Sequence, residues 1–477
     1  MKNFPILGFG CYRVDYRVEE HQKSLEKAIL EGITLIDTSA NYADGKSEIL
    51  VAQVCKKLID ENKIKREDLI VVTKAGYIQG TNYKTASERK AAGNPFPEVT
   101  EYGERLWHCI HPDFLAHQIG GQFKRLDMNY ADVYLLHNPE YFLGWAEHEG
   151  MKLEDARDEY YRRIKNAFVF LEEKVKEGVI KSYGISSNTF PGMQNDYNFT
   201  SLEKVLEIAN EVSVENNFKC IQLPFNLMES GAALNKNQAN GTKTVLELAK
   251  ENNLRVLINR PLNAITAKGL LRLADFEVTS AYIENDFVKQ NKLVMMMEQD
   301  IIDEKLVNME NSEELEKAKK FLSFGKLIDE NWKFFGTLEH FNDNIEYNIA
   351  PRINFLTDFF NNKVEDESAK ELYAKYLRET YKLFNFISTY YKINANSRNA
   401  KIHAVINSII PEEYHSLSLS QKTILLISST EGVSTVLIGA RKEKYVDDAG
   451  KILSLKKLPE VISVFKKIKS EIADHIN

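Results

Sequence analysis

Along this chain, short runs that are apolar on both faces alternate with stretches whose apolar residues recur every three or four positions. ITLID, LIVVTK, ADVYLLH, KSYGIS, CIQLP, RVLIN and STVLIG are the runs, preceded by FPILGFG near the start. Runs hydrophobic on both faces are what parallel strands covered by helices require. Between them the period turns helical: Leu50, Val54 and Leu58 share a face, as do Leu115, Ile119 and Phe123, and then Val245, Leu248 and Ala249. About eight strand-helix units predict an α/β fold of the closed (β/α)8 kind, a TIM barrel, spanning residues 1–477 as a single domain.

Two regions interrupt the alternation. Residues 76–111 read as a long polar loop insertion after the third strand. Residues 275–415 read as a large helical insertion between strand 7 and helix 7, which begins within SLSLSQKTILLISS. Within it Tyr373, Leu377, Tyr381 and Phe384 fall on one helical face, the expected seam of a packed helical insertion, with a partner-binding surface as the alternative. Both insertions follow strands and are expected to project from the catalytic face, shaping or covering a pocket, with Tyr12, Trp107 and Trp145 as candidate walls.

Charge and cysteine content narrow the function classes. The 62 Lys plus Arg against 69 Asp plus Glu give a net charge of −7 without a long basic block, so no nucleic-acid or anionic-membrane partner is expected. Cys11, Cys55, Cys109 and Cys220 lack the spacing of a zinc site or a disulfide scaffold. No apolar run approaches about 18 residues, and Pro5, Gly8 and Gly10 interrupt the N-terminal one, so a soluble cytoplasmic protein is expected. WHCIHP raises a metal through His108, Cys109 and His111, but adjacent ligands converge poorly and a fourth is missing, so no metal is expected.

In such a barrel the chemistry gathers at the carboxyl ends of the strands. Asp37, Lys74 and His137 end the second, third and fourth strands, Ser186, Ser187 and Asn188 the fifth, Gln222 lies in the sixth, and Arg260 follows the seventh. A phenol with a free pKa of about 10 is a poor acid at neutral pH, and a nearby ammonium lowers that value. Lys74 is expected to do this for Tyr42, with Asp37 holding the ammonium and His137 donating a hydrogen bond to a carbonyl oxygen. Such a site protonates an oxyanion as hydride reaches carbon, and the hydride must come from a cofactor.

GITLIDTSANYADGKSE, LIVVTKAG, ADVYLLHNP, KEGVIKSYGISSN, IQLPFN and GVSTVLIGAR, in that order, make the chain resemble the aldo-keto reductases over most of its length outside the insertions. The resemblance implies a (β/α)8 barrel binding NADPH, with NADH possible, and acting on a small carbonyl or alcohol. It places the family's Asp, Tyr, Lys, His tetrad on Asp37, Tyr42, Lys74 and His137. The nicotinamide carboxamide would be held by Ser187, Asn188 and Gln222. Arg260 stands where many members stack an aromatic on the nicotinamide, and there it would stack or meet the pyrophosphate. Gly439, Arg441 and Lys442 match the loop that holds the adenosine 2′-phosphate, Tyr445 replaces a frequent basic or amide residue, and Asp448 would contact the adenine. The resulting expectation is an NAD(P)H-dependent carbonyl reductase. A nucleotide-binding regulatory or interaction module, or a dimer built through the helical insertion, are the alternatives.

Overall fold

The computed structural model describes residues 3–267, 269–279 and 281–474. Eight parallel strands close a barrel: β1 (Leu7–Gly10), β2 (Leu35–Asp37), β3 (Ile70–Ala75), β4 (Val133–His137), β5 (Tyr183–Ser186), β6 (Phe218–Pro224), β7 (Arg255–Asn259) and β8 (Thr435–Ile438). Each strand neighbours its sequence successor, and β8 returns to β1 with Leu7 opposite Val436. The outer helices are α1 (Glu19–Leu30), α2 (Lys46–Asp60), α3 (Pro112–Leu126), α4 (Leu153–Lys176), α5 (Leu202–Val212), α6 (Val245–Glu251), α7 (Leu419–Ser429) and α8 (Glu443–Gly450).

The side-chain period of two explains how an apolar strand delivers polar groups to its tip. Leu35, Val72, Leu135, Cys220, Leu257 and Leu437 fill one layer inside the barrel. Two residues later the same inward face carries Asp37, Lys74, His137, Gln222 and Asn259. Gly184 of β5 marks a close approach: a Cβ there would lie 1.7 Å from the Cys220 carbonyl oxygen, and the β5–β6 register shifts beside it.

Residues 76–111 are more ordered than a polar loop. Tyr77–Ile78, Leu106–His108 and Thr100–Gly103 form a three-stranded antiparallel sheet with Leu106–His108 central, beside a helix over Gly80–Ala91. Ile78, Ala86, Phe96, Cys109 and Phe114 make its small core. The residues that bury here are scattered over more than thirty positions, which hides them from any periodic pattern.

The chain divides into two compact units, one from residues 1–264 and 409–473, the other from 265–408. The second starts earlier than its helical pattern because Asn263–Thr266 and Gly269–Arg272 pair as a two-stranded sheet first. It is otherwise helical, ending in a 41-residue helix over Glu367–Asn407 whose N-terminus is capped by Asp366. Its core is aromatic: Phe287, Phe324, Trp332, Phe341, Phe360, Tyr373, Tyr376 and Phe384 are buried together, and Phe360 stacks on Tyr373 at 4.1 Å. The seam of the long helix runs through Tyr373, Tyr376, Thr380, Leu383, Phe384 and Ile387. Tyr381, expected on it, is 54% exposed because it sits about 80° around the helix from Tyr373. No described helix is long and apolar enough to cross a membrane.

Candidate active site

Lys74 is fully buried, and its Nζ donates to both carboxylate oxygens of Asp37 at 2.8 Å and to the Thr38 carbonyl at 2.9 Å. Three acceptors around an ammonium, two of them anionic, are what make burial of its charge tolerable. Gln222 Nε2 donates to Asp37 Oδ1 at 2.8 Å, and Gln222 Oε1 accepts from Ser186 and Asn259. The ends of β2, β3, β5, β6 and β7 are thereby joined into one hydrogen-bonded floor.

Tyr42 lies above this floor, its ring centroid 4.9 Å from Lys74 Nζ. The backbone bends sharply after it: Ala43 and Asp44 both have left-handed conformations, with φ of 48° and 55°. That turn seats the phenol instead of letting α2 begin. The phenol is pushed well above 10, first by burial and then by the Asp37 charge. This reverses the expected lowering by Lys74, since the ammonium is already held by Asp37 and Thr38. The hydroxyl is held in its protonated, acid form.

His137 is held well below 6.5 by burial and by the Lys74 charge, so its ring is neutral. Tyr42 and Tyr77 pack edge-on against that ring, at 5.8 and 4.7 Å between centroids. His137 Nδ1 lies 3.1 Å from the Ser39 hydroxyl. The ordered excursion supplies the support beneath: His108 Nε2 contacts the His137 carbonyl at 2.7 Å, and Asn138 Nδ2 donates to the Tyr77 hydroxyl at 2.7 Å. The three side chains of the WHCIHP stretch diverge: while His108 takes that carbonyl, Cys109 Sγ donates to Pro97 O and His111 Nδ1 caps α3 by accepting the Asp113 N–H. Burial pushes the Cys109 thiol up to about 12. Among the described residues no group of three or more His, Cys, Asp or Glu is placed to hold a metal ion.

Beside the tetrad lies a second polar group. Ser187 is buried, bonded to Thr189 and Thr200. Asn188 accepts from Arg260 through Oδ1 at 3.0 Å, and its backbone N–H donates to Glu140 at 2.8 Å. Arg260 also pairs with Glu229 at 2.6 Å. Its left-handed φ of 50° is strained for an arginine, and Asn226 restrains it by donating to the Arg260 carbonyl while accepting the backbone N–H groups of Met228 and Glu229.

After β8, Gly439 and Arg441 are exposed. Lys442 pairs with Glu20 at 3.4 Å. Asp448 is committed within the fold: its carboxylate accepts from Ser420 and Gln421 at 2.8 Å, tying α8 to the first turn of α7. Tyr12 is exposed and edge-on to Tyr42 at 5.2 Å. Trp107 packs on Tyr83 and Trp145 on Phe142. Sequence reading passed over Ser39, Tyr77, Glu140 and Glu229, and considered His108 only as a metal ligand. HNPE immediately after β4 was the signal for Glu140, since an acid that close to a strand tip in a barrel falls at the mouth.

A family model for the aldo/keto reductase family matches residues 7–332. The chain is similar to the NAD(P)H-dependent D-xylose reductase of Scheffersomyces stipitis, 29% identical over 201 residues that make up 40% of this chain and 50% of that protein. It is also similar to the NADH-specific methylglyoxal reductase of Escherichia coli, 33% identical over 119 residues, 24% of this chain and 31% of that protein. The chain thus spans half or less of the length of these curated relatives. Among solved structures, the glycerol dehydrogenase of Gluconobacter oxydans aligns with a TM-score of 0.47 at 13% identity, covering 98% of this chain and 93% of that one.

Proposed function

The chain belongs to the aldo/keto reductase family, and from that premise we propose that it is an NAD(P)H-dependent carbonyl reductase, running in reverse as an alcohol dehydrogenase. The observation that carries this reading is the buried Lys74–Asp37 pair beneath a protonated Tyr42 and beside a neutral His137. Tyr42 gives its proton to the carbonyl oxygen. The phenolate left behind lies against the Lys74 ammonium, whose position Asp37 and Gln222 hold fixed through the transfer. In alcohol oxidation the same phenolate takes the proton back.

A neutral imidazole has one N–H. For His137 to donate it to the substrate oxygen from Nε2, Nδ1 must act as an acceptor, which requires the single Ser39 proton to turn to Nδ1 at 3.1 Å and away from Asn41 Oδ1 at 2.7 Å and the Lys74 carbonyl at 3.2 Å.

The residues present fit a nicotinamide dinucleotide. Glu140 and Arg260, both bonded to Asn188, and Asn259, bonded to Gln222, each keep a buried polar atom without a hydrogen-bond partner, which is unusual in a folded interior. Ser187, Asn188 and Gln222 would hold the carboxamide, Arg260 the ring or the pyrophosphate, and Gly439, Arg441 and Lys442 the 2′-phosphate of NADPH. NADH would bind without that last contact. Asp448 is left out, because both its oxygens are used in joining α8 to α7. The bound cofactor supplies the hydride. The relatives named for D-xylose and methylglyoxal make small polar aldehydes the first substrates to try.

The test is Tyr42→Phe, with loss of reduced-nicotinamide absorbance followed on a panel of aldehydes and ketones. Turnover should fall by about 10²–10⁴-fold with NADPH affinity nearly unchanged. Unchanged turnover removes Tyr42 as the acid. The self-contained core of residues 265–408 favours a second reading, an interaction module with residual activity; NADPH binding with no carbonyl reduced by the wild type would select it.

A further inference from the structure

Glu140 takes no part in the proton transfer proposed above, yet its carboxylate is buried at the barrel mouth. It follows His137 by three residues and opens the helix Tyr141–His148. One carboxylate oxygen accepts the Asn188 N–H at 2.8 Å. The other, Oε2, is buried without a hydrogen-bond partner. The nearest cation offers little compensation, because Arg260 is already committed to Glu229 at 2.6 Å and to Asn188 at 3.0 Å.

We propose that Glu140 is a positioning residue of the dinucleotide site that fixes the Ser187–Asn188 turn through the Asn188 N–H, and that its incompletely paired carboxylate biases the site toward the oxidised nicotinamide. The inference rests on the dinucleotide reading of Ser187 and Asn188. Its physical basis is charge: the reduced nicotinamide ring is neutral and the oxidised ring carries one positive charge. A buried carboxylate near that ring stabilises the oxidised form and leaves the reduced form almost unaffected, and the effect grows where water is excluded.

The bias depends on pH, because burial raises Glu140 from 4.5 to about 7 against the opposing pull of the Asn188 N–H, Ser187 and Arg260. Tyr77 from the excursion, Tyr160 from α4 and the neighbouring Tyr141 also face it. All three phenols are pushed upward from 10, so they stay neutral in this range. Tyr42 is likewise raised and His137 lowered, so neither changes charge near neutrality. Glu140 is therefore the group here whose charge changes as pH crosses 7.

The experiment measures dissociation constants of NADP+ and NADPH for the full chain from about pH 6 to about pH 8. The affinity ratio is the readout, because ionisation of the 2′-phosphate acts on both forms alike and cancels. In the wild type the Kd of NADP+ relative to NADPH should fall on the order of tenfold as pH rises. Glu140→Gln keeps the acceptor for the Asn188 N–H and removes the charge, so its ratio should stay flat at the wild type's low-pH value. Glu140→Ala removes both roles and should weaken both forms together. Should Glu140→Gln not fold, calorimetry of the wild type in buffers of different ionisation heat decides: near pH 7, NADP+ should release a fraction of a proton on binding and NADPH should not. A flat wild-type ratio, an unaltered slope in Glu140→Gln, or equal proton release by the two forms overturns the inference. Failure of the wild type to bind either nucleotide overturns the dinucleotide reading instead.

Discussion

Each of the two units buries a carboxylate, and the partners differ. In the barrel, Asp37 meets an ammonium and an amide, with Lys74 on both oxygens and Gln222 on one. In the helical unit, Glu298 meets only neutral donors: Tyr376 Oη and the Gly325 N–H both reach Oε1 at 2.9 Å. Burial raises the Glu298 carboxyl, and no salt bridge to Glu298 occurs among the described residues. A carboxyl of this kind joins two helices as an acceptor, and protonation does not spoil that task. Asp37 must stay an anion to hold a cation in place. One unit keeps a charged pair inside, which the proposed reading assigns to chemistry, and the other keeps a polar group inside for packing.

Breaking the barrel's pair should produce the largest effect. Lys74→Met leaves Asp37 buried without its cation, at a cost of about 3–5 kcal/mol and nearly all turnover. Hydrogen exchange resolved by segment should show the loss in residues 1–264 and 409–473 and spare 265–408. The double variant Asp37→Asn with Lys74→Met should regain much of the stability and none of the turnover. Recovery of turnover would mean that the pair serves packing, as Glu298 does, and the contrast would collapse.

Glu140 is the intermediate case, a barrel carboxyl without a cation of its own. Its folded value of about 7 lies above the ordinary 4.5. A raised acid favours the fold while protonated, and that contribution is lost as pH rises from the unfolded toward the folded value. Glu140→Gln should thus stabilise the protein by about 2 kcal/mol at pH 8 and by much less near pH 5. Urea midpoints at the two pH values measure this, and a pH-independent difference would show that Glu140 titrates alike in the folded and unfolded chain and that burial does not raise it.

Glu298→Gln should be milder still. The amide retains an oxygen for Tyr376 and Gly325, so a loss under about 1 kcal/mol is expected at neutral pH. Gly325→Ala sharpens the test by a different route, since a Cβ there would come 2.5 Å from Met295 Cγ and 3.0 Å from the Met295 backbone nitrogen. If Glu298→Gln cost as much as Lys74→Met, both carboxylates would have to be read as charge sites.

The barrel and the gathering of polar side chains at its mouth were legible in the sequence because strand ends and side-chain period are both local. Asp37, Lys74, His137 and Gln222 lie at the ends of apolar runs, and a period of two sends them inward with the core residues. The supports were not legible, because each reaches its partner through tertiary structure: His108 contacts a carbonyl 29 residues away, Glu140 an N–H 48 away, and Glu229 a guanidinium 31 away. Asp448 shows the converse. Its position in the chain suggests a ligand contact, and only the packing of α7 against α8 reveals that both its oxygens are occupied. The raised Tyr42 had the same origin, since burial and the Asp37 charge outweigh a neighbouring ammonium that other groups already hold.

The smallest expected effect tests the helical unit where its sequence pattern misled. Tyr373, Leu377, Tyr381 and Phe384 read as one apolar face, yet Tyr381 is 54% exposed while Tyr373 and Phe384 are 4% and 6% exposed. Helical geometry accounts for this: the buried seam centres between Tyr373 and Thr380, and Tyr381 falls about 80° from the first and a full 100° from the second. Its ring touches Phe384 only edge-on, at 6.1 Å. Tyr381→Ala should therefore change the unfolding midpoint by less than about 0.5 kcal/mol. A loss of several kcal/mol would mean that this face is covered in solution, and the helical unit would then be a binding surface as well as a packed core.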